Sequence, residues 1–120
     1  MKYFLDTYAL IEIAGGNKKY EKYVEEDAVT LKENLAELSY FLLRKYDEKT
    51  AVYFLNRFSR LAAELPLEIV EKAMVFRHSH KKFRFSYIDC FGYVYALNMK
   101  LIFLTGDRAF QGLERVEIVR

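Results

Sequence analysis

Two aspartates stand where short apolar runs stop. Asp6 ends the run Tyr3-Phe4-Leu5, and Asp107 follows Leu101-Ile102-Phe103-Leu104 after only Thr105 and Gly106. A third acid, Asp89, closes the sequence Ser86-Tyr87-Ile88-Asp89, and Glu37 sits among Leu35, Leu38 and Phe41. Carboxylates that converge repel one another, and some keep their protons unless a cation neutralises them. Oxygen-only ligands select hard ions, Mg²⁺ or Mn²⁺, over zinc. Such an ion lowers the pKa of bound water, orients it on a phosphodiester and stabilises the leaving oxygen; two ions about 4 Å apart share those tasks. Each acid also has a structural use. Asp6 can cap a helix starting at Thr7, Asp89 can complete a Ser86 capping box, Asp107 can cap a short helix at Arg108, and Glu37 can border an apolar stripe.

Competing chemistries are poorly supplied. No Ser-His-Asp or Cys-His arrangement is visible, and Cys90, inside an apolar stretch, reads as a small core residue. That cysteine is the only one, so no intramolecular disulfide forms, and with His78 and His80 it makes a poor zinc set. The 120 residues suit a single domain over 1–120; 52% are hydrophobic and 30% charged, which argues against disorder. Net charge is only +2, from 19 basic and 17 acidic side chains, so any polyanion must meet a local basic cluster. No apolar run is long enough to span a membrane, and Asp6 and Glu12 interrupt the faint signal-peptide look of the first residues. A cytoplasmic protein is expected.

The elements that must position the acids follow from periodicity. Strands are expected at residues 3–5, 28–30, 63–65, 101–104 and 116–119. A helix over residues 7–14 stops at Gly15-Gly16, and Asn17 caps a second one running to the acidic triplet at 25–27. Leu31, Leu35, Leu38 and Leu42 mark a helix over residues 33–46, and Asp47 starts the next, with Ala51, Phe54, Leu55, Phe58 and Leu61 as its buried stripe. After Pro66 come helices over residues 67–78 and, behind the Ser86 capping box, to Asn98; a short one spans 108–111. Strands alternating with helices imply an α/β fold, a three-layer α/β/α sandwich around a parallel sheet of about five short strands. In such a sheet the loops at the carboxyl ends of the strands gather into one crevice. Asp6 and Asp107 belong to that edge, and a crossover helix starting near Ser86 brings Asp89 toward it.

The order Phe4-Leu5-Asp6-Thr7, Leu35-Ala36-Glu37-Leu38, Ser86-Tyr87-Ile88-Asp89 and Leu104-Thr105-Gly106-Asp107-Arg108-Ala109-Phe110 resembles the PIN domain, most specifically the VapC-like toxin ribonucleases of toxin–antitoxin pairs. The likeness runs from residue 3 to residue 119, and Thr-Gly-Asp-x-x-Phe after an apolar strand is its most specific piece. It implies a metal-dependent endoribonuclease in which Asp6, Glu37, Asp89 and Asp107 bind Mg²⁺ or Mn²⁺ and cut RNA. Thr7 and Thr105 match positions where the family often has a hydroxyl supporting the site. It also implies a homodimer and a cognate antitoxin received near the second helical hairpin, where Tyr40, Tyr46, Tyr53, Phe54 and Phe58 cluster. A core role for those aromatics in a monomer is the alternative. Two other phosphate chemistries fit less well: a haloacid-dehalogenase phosphatase wants an Asp where Tyr8 stands, and a receiver domain wants a late lysine where only Arg120 follows Val119.

The most basic segment holds Arg77, Lys81, Lys82 and Arg84, with Phe83 and Phe85 as possible stacking surfaces, and it leads into the Asp89 helix. It can guide an RNA backbone or simply be a solvated connector. His78 and His80, two apart, read as surface residues. An RNA-processing nuclease without an antitoxin and a non-catalytic RNA- or protein-binding module remain the rival readings.

Overall fold

The computed structural model describes residues 2–24 and 27–120, and its five strands are β1 (Lys2–Leu5), β2 (Asp27–Leu31), β3 (Ala62–Ala63), β4 (Ile102–Thr105) and β5 (Val116–Ile118). They form a parallel sheet in the order β3-β2-β1-β4-β5. Successive strand residues point to opposite faces, so the paired residues Phe4 and Phe103 enter one core while Leu5 and Leu104 enter the other. The helices are α1 (Thr7–Ala14), α2 (Glu21–Val24), α3 (Lys32–Lys45), α4 (Glu48–Phe58), α5 (Leu67–Ser79) and α6 (Tyr87–Asn98). α1, α3 and α4 supply the core on the Leu5 face; α5 and α6 supply the core on the Phe4 face. The expected three-layer α/β/α arrangement is therefore present. Among the described residues no helix is long and apolar enough to cross a membrane.

Several boundaries differ from expectation. The second helix is a 3₁₀ turn, Lys18–Tyr20, followed by α2; Asn17 caps the turn through Lys19 N, and Glu25 and Glu26 lie outside the described residues. Leu31, expected on a helical stripe, is the last residue of β2, where it pairs with Ala63. That pairing draws β3 to Ala62–Ala63, ahead of the expected 63–65, since Pro66 has no N–H for a ladder and instead precedes α5. In α4 only Ala51 and Phe58 are buried, with Phe54 and Leu61 part-buried and Leu55 exposed. α4 rests on α3, and a helix seated on one other helix buries a narrower stripe than one lying on a sheet.

Candidate active site

The strand order turns at β1. The chain leaves β1 through α1 on one face and returns to β4 from α6 on the other, which puts the switch point of the sheet at the carboxyl ends of β1 and β4. Asp6 lies at the first of these ends and is only 3% exposed. It occupies the N-cap position of α1, yet its side chain makes no capping hydrogen bond. Instead Thr105 Oγ1 donates to Asp6 Oδ2 at 2.7 Å, and the same hydroxyl accepts from Asp107 N at 3.1 Å. One threonine thus ties together the two strand ends that carry acids. The simple capping explanation fails for Asp6.

It holds for the two later aspartates. Asp89 Oδ2 accepts from Ser86 N at 2.9 Å while Ser86 Oγ accepts from Asp89 N at 3.0 Å, a complete capping box. Asp107 Oδ1 accepts from Ala109 N at 2.9 Å and caps the 3₁₀ turn Arg108–Phe110. Each cap uses one carboxylate oxygen, and a carboxylate has two. Ser86→Ala is expected to cost about 1 kcal/mol of stability, read by chemical denaturation, because α6 loses its cap. Unchanged stability would show that the box contributes nothing.

Glu37 enters from α3. Its Oε1 accepts from Thr7 Oγ1 at 2.6 Å, and Thr7 Oγ1 in turn accepts from Asn34 Nδ2 at 3.0 Å. Asn34 is fully buried, and its Oδ1 has no hydrogen-bond partner. Sequence reasoning missed this residue. Its signal was present: Asn34 stands one residue before Leu35 and four before Leu38, so a polar amide falls on the apolar row of the helix.

Two of the acids, Asp6 and Asp89, feel the charges of their acidic neighbours. Burial first, then the charge of Asp89 and to a lesser degree that of Glu37, pushes the Asp6 carboxyl up to about 7 against the pull of Thr105 and the Thr7 amide. Asp89 is also raised, first by burial, with Glu37 and Asp107 adding to the effect and Ser86 opposing it. Among the described residues, no three or more acidic, histidine or cysteine side chains stand close enough to enclose an ion as they are. Cys90 next door is buried, and burial followed by the Asp89 charge pushes its thiol up to about 11, so it is no nucleophile.

The basic segment is only partly available. Arg77 Nε donates to Phe85 O at 3.1 Å and its guanidinium covers the Tyr87 ring at 4.3 Å, which pins the approach to α6. Phe85 is buried and offers no outer stacking face, whereas Phe83, Lys81, Lys82 and Arg84 are exposed. His78 is exposed as expected; His80 is half-buried, stacked on Phe76 at 4.1 Å.

A covered parallel sheet with Asp6 and Asp107 at its switch-point edge defines a small α/β protein. The chain belongs to the PIN domain family, a nuclease family whose profile matches residues 3–116. A comparison with curated proteins gives no match. Among solved structures the fold is similar to VapC20 of Mycobacterium tuberculosis, a toxin that cleaves the sarcin–ricin loop, with a TM-score of 0.82, 16% identity, and coverage of 97% of this chain and 98% of that one. It is also similar to VapBC2 of Rickettsia felis bound to a promoter DNA fragment, with a TM-score of 0.80, 14% identity and full coverage of both chains. A toxin–antitoxin complex from Klebsiella pneumoniae gives a TM-score of 0.75 at 17% identity, covering 96% of this chain and 95% of that one.

Proposed function

We propose that the protein is a metal-dependent endoribonuclease, the toxin of a VapBC-type pair, whose ion is held by Asp6, Glu37, Asp89 and Asp107. The carrying observation is the buried Asp6 carboxylate, whose acting charges, Asp89 and Glu37, are both negative. A donor set made of carboxylate oxygens fits a hard divalent cation, Mg²⁺ or Mn²⁺, which would relieve that repulsion. When bound, such an ion supplies Lewis acidity and an activated water for phosphodiester hydrolysis. The chain's own part is to place the oxygens. Thr105 fixes Asp6 and the turn of Asp107 together, Asn34 and Thr7 orient Glu37, and Ser86 orients Asp89. Arg77, Lys81, Lys82 and Arg84 form the basic approach along which the RNA backbone lies, with Arg77 acting mainly by shaping the segment.

The solved toxin–antitoxin complexes with this fold support an antitoxin partner. Its segment is assigned to the cleft of about 330 Å³ between α1, α3 and α4, lined by Ile11, Phe41, Tyr46 and Phe54. Tyr40, Tyr46 and Tyr53 stay exposed, Tyr46 on the cleft wall, while Phe58 fills the core, so filling a monomer core accounts for Phe58 but not for the tyrosines. A homodimer in the cytoplasm completes the reading. The test is cleavage of single-stranded RNA by the purified chain with Mg²⁺ or Mn²⁺ and with EDTA. Cleavage that needs the ion is expected; cleavage undiminished in EDTA would sink the metal assignment.

A further inference from the structure

Three phenylalanines form a column that runs outward from the acidic edge. Phe110, in the turn that Asp107 caps, stacks on Phe85 with centroids 4.4 Å apart and planes at 14°. Phe85, directly before the Ser86 cap of Asp89, stacks on Phe83 at 5.2 Å and 23°. Burial falls along the column: Phe110 and Phe85 are buried, and Phe83 is 41% exposed. The column reaches a cleft of about 350 Å³ lined by Arg77, His80, Lys81, Arg84 and Phe85, and Phe83 touches two of those walls, Phe85 and His80. Arg84 adopts a left-handed backbone at φ 59°, a conformation that a non-glycine residue keeps only when its surroundings hold it. That turn sets Arg84 and Lys81 beside the same cleft.

A stack of rings that ends at a half-exposed ring, next to a cleft lined by Lys81 and Arg84, matches a base with its phosphates. Stacking on aromatic faces is how single strands are held irrespective of sequence, and cations beside the ring track the backbone. A duplex hides its base faces. We infer that an unpaired base of single-stranded RNA stacks on Phe83 while Lys81 and Arg84 hold its flanking phosphates, on the segment that leads into the Asp89 helix. This subsite rests on the ribonuclease reading for its purpose, but its binding can be measured without cleavage.

The experiment is fluorescence anisotropy of a labelled oligoribonucleotide, single-stranded and as a duplex, with the full chain in EDTA. Phe83→Leu keeps an apolar side chain and removes the aromatic face; Phe83→Trp keeps a face. Single-strand affinity is expected to fall about tenfold in Phe83→Leu and to be retained in Phe83→Trp, with duplex binding weaker and indifferent to both. Lys81→Ala with Arg84→Ala should flatten the dependence of log affinity on log salt by about 0.7 for each cation removed. Thermal melting of Phe83→Leu close to that of the parent chain confirms that folding is not what changed. Equal single-strand binding by the parent chain and Phe83→Leu overturns the subsite, as does a duplex bound equally well. A chain that cuts RNA with Mn²⁺ but shows no Phe83 dependence overturns this inference alone; one that binds through Phe83 and never cuts overturns the nuclease reading alone.

Discussion

Asp6→Asn is expected to lower RNA cleavage by at least about a hundredfold, the scale seen when one preorganised electrostatic group is lost. The same change is expected to make the metal-free protein more stable at about pH 8, because it removes a buried charge whose acting charged neighbours, Asp89 and Glu37, are both negative. The sign follows from the titration of Asp6. Its pKa is about 7 in the folded chain against 3.8 as a free side chain. Between those values the folded state holds a proton that the unfolded state has released, so stability falls as pH rises through this window and levels off above it. The raised carboxyl contributes its full stability below the lower value and has lost it above the upper one. Asparagine resembles the protonated carboxyl and does not titrate. Its melting temperature in EDTA should match the parent's at acidic pH and exceed it by at least about 5 °C at about pH 8, the equivalent of one or two kcal/mol in a chain of this size. Added Mg²⁺ should raise the melting temperature of the parent chain under those conditions and leave Asp6→Asn unmoved. An Asp6→Asn chain that is less stable than the parent at both pH values would show that Asp6 is held for structure and not for a cation.

The candidate site residues differ in how far sequence could place them on the fold. Asp6 and Asp107 were legible because a short apolar strand fixes where its carboxyl end lies, and the acid follows at once. Asp89 was legible through its cap, since Ser86 marks the start of α6 and the acid must sit in its first turn. Glu37 was placed by its likeness to a family pattern; periodicity alone put it only at the border of an apolar stripe. The support beneath it was hidden. Asn34 looks like an ordinary polar residue until α1 brings Thr7 across from 27 positions away. Helical periodicity reports direction around an axis and not what the facing element carries, which is why Leu55 on α4 was expected inside and Asn34 was not singled out. Phe85 shows the same limit. Its place in a basic run suggested an outward ring, but Phe110, Phe76 and Phe83 stack around it and bury it.

Gly106→Ala is the other change with a large expected effect, and it arises from closeness, not from backbone freedom. A Cβ built on Gly106 would stand 2.1 Å from the Tyr8 ring and 2.6 Å from Val119 O. Real Cβ atoms do not approach so closely, so something must move. The ring can swing away, but the carbonyl is fixed by its own chain, since Val119 N donates to Thr105 O at 2.9 Å and Tyr20 Oη donates to Val119 O at 2.6 Å. The substitution is expected to cost about 3 kcal/mol or more, at the upper end of overpacking, read as the shift in chemical denaturation. Tyr8→Ala offers a separation of the two clashes. In that background the cost of alanine at 106 should shrink without vanishing, because the carbonyl remains, and the difference between the two costs measures what the ring contributes. The strain has a functional address as well. Gly106 lies between Thr105, which holds Asp6, and Asp107, so a displaced turn pulls both strand-end acids out of register. Cleavage should therefore fall in Gly106→Ala even under conditions where the chain stays folded. A stability within about 0.5 kcal/mol of the parent, the range of a neutral surface change, would mean that this turn yields freely and does not fix the crevice.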